Sequence, residues 1–187
     1  AKGENSTVVI AIVDGGTDIR HSDLAANVWQ NPGEIPDNGK DDDGNGYIDD
    51  LHGWNFATNQ PDPTGLANTP INAEHGTHTA SICCAVTDNQ RGLAGSSWNA
   101  KLLAVNCSSP YSDNSIISGY DGILYAAEAG ADIFFREVRK IRQNFLGAHP
   151  GGQIGEHVID SDAHAADGWL AAALARVKRD NILIGRA

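Results

Sequence analysis

The chain has 187 residues, 41% hydrophobic and 20% charged, which supports one folded domain with a hydrophobic core and excludes a disordered polymer. With 24 acidic against 13 basic residues the formal charge is −11, which argues against a nucleic-acid backbone as partner. No apolar run approaches the roughly 18 residues of a membrane span. Met and a leader segment are both lacking, so the chain is expected to begin inside a longer product.

Thr7 to Val13 reads TVVIAIV, an unbroken β-branched run of the kind buried on both faces of a parallel sheet. Asp14-Gly15-Gly16 then signals a turn. His75 to Val86 is small and apolar and predicts a helix; Lys101 to Asn106 predicts a second strand. Ile116, Ile117, Tyr120, Ile123, Leu124 and Ala127 fall on one helical face, closed by Gly130. Ala131 to Phe135 predicts a third strand. Beyond it the spacing predicts a basic helical piece, a Gly-rich loop (HPGGQIG), a helix over 163–179 and a strand over 181–184. Strand, helix, strand, helix, strand implies an α/β fold, a parallel sheet with helices on both faces.

The charge divides unevenly. Residues 1–133 carry 18 acids and 5 bases, whereas residues 134–187 carry 6 acids and 8 bases. The three cysteines, Cys83, Cys84 and Cys107, form an odd set without a disulfide framework and are expected to be buried thiols.

Asp14 stands at the C-terminal end of a predicted parallel strand, where chemistry gathers in such sheets. In EHGTHTAS, Glu74 to Ser81, His75 is followed at once by Gly76, which is expected to leave room for a substrate backbone. Histidine passes protons near neutral pH. A buried aspartate accepting from its other ring nitrogen fixes the tautomer and stabilises the imidazolium.

The stretches IAIVDGGTDIRHSDLAANVW and HGTHTAS, followed in order by GLAGSSWNAKLLAV and GYDGILYAAEAGADI, resemble the subtilisin-like serine proteases over about residues 6–133. The resemblance implies a subtilisin-like domain, here incomplete. It casts Asp14 as the orienting acid and His75 as the general base. Gly15 replaces the usual Ser or Thr, Ser81 a frequent Gly, and His78 matches a structural position of the family. Residues 1–133 are then the N-terminal part of the catalytic domain, with an insertion over 30–72. Residues 134–187 are a divergent segment supplying the next helix and strand. After Ile133 the sequence reads FFREVRK where the family lines its pocket for the residue before the scissile bond. No Gly-Thr-Ser block is present, so no nucleophile is recognisable, and Ser81, Ser96, Ser97 and Ser161 lack its context. The oxyanion Asn block is likewise lacking.

Asp41 to Asp50 begins with the D-x-D-x-N-G pattern of an EF-hand-like calcium loop. Asp41, Asp43 and Asn45 offer side-chain oxygens, Tyr47 a carbonyl, and Asp49 (or Asp50) a further carboxylate, because His52 occupies position 12. Five carboxylates in ten residues repel one another without a cation, which favours Ca²⁺. A second calcium site is implied by the resemblance alone, through Asp23 of HSDL and Asn89 of TDNQRGLAG.

The expected function is that of a secreted, extracellular serine endopeptidase acting on extended polypeptides. Lacking its serine block, this chain is expected to be inactive alone. The alternative is a non-catalytic remnant or pseudoprotease that binds calcium or peptide. A nucleotide-binding domain is disfavoured, as neither G-x-G-x-x-G nor a P-loop occurs.

Overall fold

Val8–Asp14 form β1, the middle of a five-stranded parallel sheet. The apolar run explains the position: Ile10, Ala11, Ile12 and Val13 are at most 4% exposed, so both faces must be covered. The structure is a computed structural model describing residues 7–65, 70–109, 111–136 and 183–186. On one side β1 pairs with β3 (Ala100–Asn106), which pairs in turn with β2 (Gly53–Asn55). On the other it pairs with β6 (Ile133–Arg136), and β6 with β7 (Leu183–Arg186). Helix α1 (Pro70–Cys84) covers one face and α2 (Gly119–Glu128) the other.

Strand alternation assigns the two cores. Ile10, Ile12 and Leu102 pack with Ala80, Cys83 and Cys84 of α1. Ala11, Val13, Leu103 and Val105 pack with Tyr125 and Ala126 of α2. All three cysteines are buried free thiols, and burial raises the thiol of Cys84 to about 12.

The α/β order expected from the sequence is the observed one, with several shifts. α1 starts five residues before His75, at Pro70, where a fixed φ and a missing N–H suit a first helical residue. Ile116, expected on the helix, ends β5 (Ser112–Ile116), which forms a small antiparallel pair with β4 (Ser108–Ser109). α2 therefore starts at Gly119, and Gly130, with φ of 90°, follows its end as expected. β2 has three residues and no periodicity of its own, so it was not expected from the sequence. FFR of FFREVRK belongs to β6. The expected basic helical piece, the Gly-rich loop and the helix over 163–179 lie outside the described residues.

Candidate active site

Asp14 is the last residue of β1, 4% exposed, with its backbone held by the Cys107 N–H on its carbonyl at 2.7 Å. Its Oδ1 accepts the Gly15 N–H at 2.6 Å. Its Oδ2 lies 2.8 Å from Nδ1 of His75. The Asp14 side chain is 6% exposed and that of His75 45%. A buried carboxylate thus holds one ring nitrogen of an imidazole that still meets solvent. Such a ring can take and return a proton at its other nitrogen.

His75 sits in the second turn of α1 rather than at its mouth, and the neighbouring glycine explains how it reaches Asp14. A Cβ on Gly76 would lie 2.1 Å from the carbonyl oxygen of Gly16. Gly76 therefore makes room for the backbone that follows β1. Thr77 Oγ1 adds a second tie by accepting the Asp18 N–H at 2.8 Å. Gly16 itself has φ of 117°, left-handed backbone that favours glycine.

Two of the described serines, Ser81 and Ser108, are engaged within the fold. Ser81 Oγ donates to the Thr77 carbonyl at 2.8 Å, within its own helix. Ser108 Oγ donates to Asn106 Oδ1 at 2.8 Å. His78 is exposed and, with Asp18, Asp62, Thr64, Glu74 and Ser81, lines an open cleft beside α1.

In the acidic loop, Asp41 accepts the Asn45 N–H at 3.0 Å and the Gly46 N–H at 2.8 Å. The Gly46 bond is the first cause of a carboxyl pKa below the ordinary range. Asp43 Oδ1 accepts the Asn45 N–H at 3.1 Å. Oxygens of Glu34, Asp41 and Asp43 lie within 4.8 Å of one another. Glu34 is 7% exposed; its Oε1 accepts the Asp42 and Asp43 N–H groups, and its buried Oε2 has no hydrogen-bond partner. The Asp49 carboxylate accepts from the Asn38 and Gly39 N–H groups at 3.0 and 2.9 Å. Tyr47 contributes its ring to a cluster with Trp54, Phe56 and Tyr125.

Asp50 is fully buried and ties this loop to the core. It accepts the Tyr125 hydroxyl at 2.7 Å, Asn31 Nδ2 at 2.8 Å and Asn45 Nδ2 at 3.1 Å. Burial nevertheless raises its pKa. Sequence reasoning left out Glu34 and Asn31. Neither falls within the D-x-D-x-N-G pattern, and only the turn after Asn31 folds them back onto it.

Asp23, 3% exposed, accepts Asn89 Nδ2 at 2.6 Å and the Leu93 N–H at 2.9 Å. The Asn89 bond, then that of Leu93, pulls its carboxyl below the usual range. Asn89 Oδ1 accepts the Arg91 N–H at 3.0 Å. Thus the structure brings together Asp14 with His75, Asp41 with Asp43 and Asn45, and Asp23 with Asn89.

The subtilase family (peptidase S8) matches residues 5–135. The chain belongs to the subtilase family. It is 34% identical over 131 residues to thermitase of Thermoactinomyces vulgaris, covering 70% of this chain and 37% of that protein. It is 38% identical over 100 residues to subtilisin-like protease 1 of Plasmodium berghei (strain Anka), covering 52% of this chain and 15% of that one. Among solved structures, the serine protease of Aeromonas sobria shares 28% identity with a TM-score of 0.46, over 68% of this chain and 17% of that chain. The chain thus spans well under half the length of these relatives.

Proposed function

We propose that this chain supplies the acid and base of a serine endopeptidase, with Asp14 orienting His75 and His75 accepting the proton of a serine hydroxyl. The observation that carries this reading is the 2.8 Å contact between Nδ1 of His75 and the buried Asp14 carboxylate. Asp14 keeps the proton on Nδ1, so Nε2 is the atom that takes the hydroxyl proton as the oxygen attacks a peptide carbonyl, then gives it to the leaving amine. The substrate class is an extended polypeptide, and the protein acts outside the cell. Without a Gly-Thr-Ser block, the 187-residue chain by itself does not hydrolyse peptides at a measurable rate.

Ca²⁺ is the cofactor of this reading. Glu34, Asp41 and Asp43, joined by Asn45 and the Tyr47 carbonyl, are the oxygen donors of the acidic loop, a set that suits a hard cation. The fit is supported by Glu34 Oε2, a buried carboxylate oxygen with no protein partner. Asp23 and Asn89 form the second site of the proposal. Bound only by the folded chain, calcium stabilises the scaffold that carries the Asp–His pair.

A fluorophosphonate probe, which reacts with activated serines, tests the reading. A longer product containing a serine block is expected to be labelled, and His75→Ala to abolish the labelling, while the 187-residue chain stays unlabelled. Labelling that survives His75→Ala would overturn it.

A further inference from the structure

Asn106, the last residue of β3, pairs in parallel register with Asp14 of β1 and, on its other side, with Asn55 of β2. Paired residues of parallel strands point to the same face, and neighbouring strands lie about 4.8 Å apart. The faces are fixed by packing: Leu102 on β3 and Ile10 and Ile12 on β1 pack on α1, so Asn106 and Asp14 share the α1 face. Asn55, Asn106 and Asp14 thus form a row of buried polar side chains across the C-terminal ends of three strands, at 2%, 0% and 4% exposure.

Only one end of the Asn106 amide is met. Its Oδ1 accepts the Ser108 N–H at 3.0 Å and the Ser108 hydroxyl at 2.8 Å. A backbone N–H only donates, so the amide cannot be turned the other way round. Nδ2 is therefore the outward end, and it is buried with no hydrogen-bond partner in the protein. Asn55 cannot serve it: Asn55 Oδ1 accepts the Ala57 and Thr58 N–H groups, and its own Nδ2 donates to the Asp62 carbonyl at 3.0 Å. An unmet buried donor is costly, and buried polar groups of this kind are met by enclosed water.

We propose that Asn106 is a positioning residue for the Asp14–His75 pair: its Nδ2 holds an enclosed water that donates to the Asp14 carboxylate. The proposal rests on the Asp–His reading above. The water adds a hydrogen bond to the Asp14 carboxylate and helps to fix its plane. Asn106 acts through Asp14 and does not touch the substrate.

Proton NMR of the folded 187-residue chain tests this without any activity. The readouts are the downfield Nδ1–H signal of His75 and the side-chain NH₂ signals of Asn106. Asn106→Leu, which removes the donor, is expected to shift the His75 signal further downfield, because Asp14 then accepts more strongly from His75. Asp14→Asn is expected to move the Asn106 NH₂ signals in otherwise unaltered chain, a readout that survives if Asn106→Leu fails to fold. An unmoved His75 signal in folded Asn106→Leu, or unmoved NH₂ signals in Asp14→Asn, overturns the proposal. If Asp14→Asn leaves the His75 signal itself in place, the Asp–His reading fails; if it removes that signal while Asn106→Leu changes nothing, only the role of Asn106 fails.

Discussion

Gly76 and Gly16 meet without side chains: the Gly16 carbonyl oxygen lies 2.1 Å from where a Gly76 Cβ would stand. This approach presses the second turn of α1 against the end of β1, and so delivers His75 to Asp14. Helix propensity by itself would favour alanine here by about 1 kcal/mol. Overpacking costs about 1–3 kcal/mol. Gly76→Ala is therefore expected to lower stability despite its better propensity, measured as a lower urea midpoint with unchanged slope. A raised midpoint would show that the helix can step back freely.

Asp14→Asn in a longer product carrying a serine block is expected to lower kcat by about 10⁴-fold, because an amide at this place favours the wrong His75 tautomer. Peptide hydrolysis measured at saturating substrate checks this. A loss below tenfold would mean that Asp14 is not the orienting group.

Calcium is expected to raise the melting temperature of the folded chain, and EGTA to reverse the rise. At free calcium one hundred times the dissociation constant, one site adds about 2.7 kcal/mol. Glu34→Gln and Asp41→Asn are each expected to weaken this dependence, and Asp49→Asn much less, since Asp49 faces the backbone of Asn38 and Gly39. A thermal shift series in calcium distinguishes the three. Equal losses would place Asp49 among the ligands.

Asp23 and Asp41 have carboxyl pKa values lowered in the fold, chiefly by the Asn89 side chain and the Gly46 N–H respectively. A lowered folded value means the unfolded chain binds the proton more tightly. Their stabilisation is therefore complete above the ordinary Asp value of about 3.9 and is lost as pH falls below it. Asp50 has the opposite sign: burial raises its pKa, so it withdraws stability as pH climbs from the ordinary value through the raised one. Urea midpoints between pH 3 and pH 7 should fall less steeply on the acid side for Asp23→Asn than for the parent chain.

Tyr125→Phe removes a hydroxyl that donates to the buried Asp50 carboxylate at 2.7 Å. A hydrogen bond to a charged group contributes about 1.5–3 kcal/mol, and a loss of that size is expected in urea unfolding. Because Asp50 shares Asn31 and Asn45 with Asp43, the same variant should also weaken the calcium-dependent shift.

Asp14 and His75 were legible as a pair because the short blocks that hold them resemble those of the subtilisin-like family. Asp14 ends an unbroken, β-branched apolar run, which suits a strand buried on both faces. His75 stands in a short block whose small residues suit a helix pressed on a sheet. β2 and the β4–β5 pair were not legible, because two to five residues carry no period and form only where a partner edge is offered. Glu34 was missed because it joins Asp41 and Asp43 by a fold of the chain, not by spacing.

By itself, then, the sequence determined the α/β order, the strand end that bears Asp14, the helix that bears His75 and the acidic loop, since periodicity and composition act over a few residues. Tertiary structure alone decided why Gly76 is glycine, which carboxylates converge in the loop, that Asp50 is buried against Tyr125, and that Asn106 stands beside Asp14. Those depend on which backbones approach across tens of residues, and close packing of the sheet against its helices sets those distances.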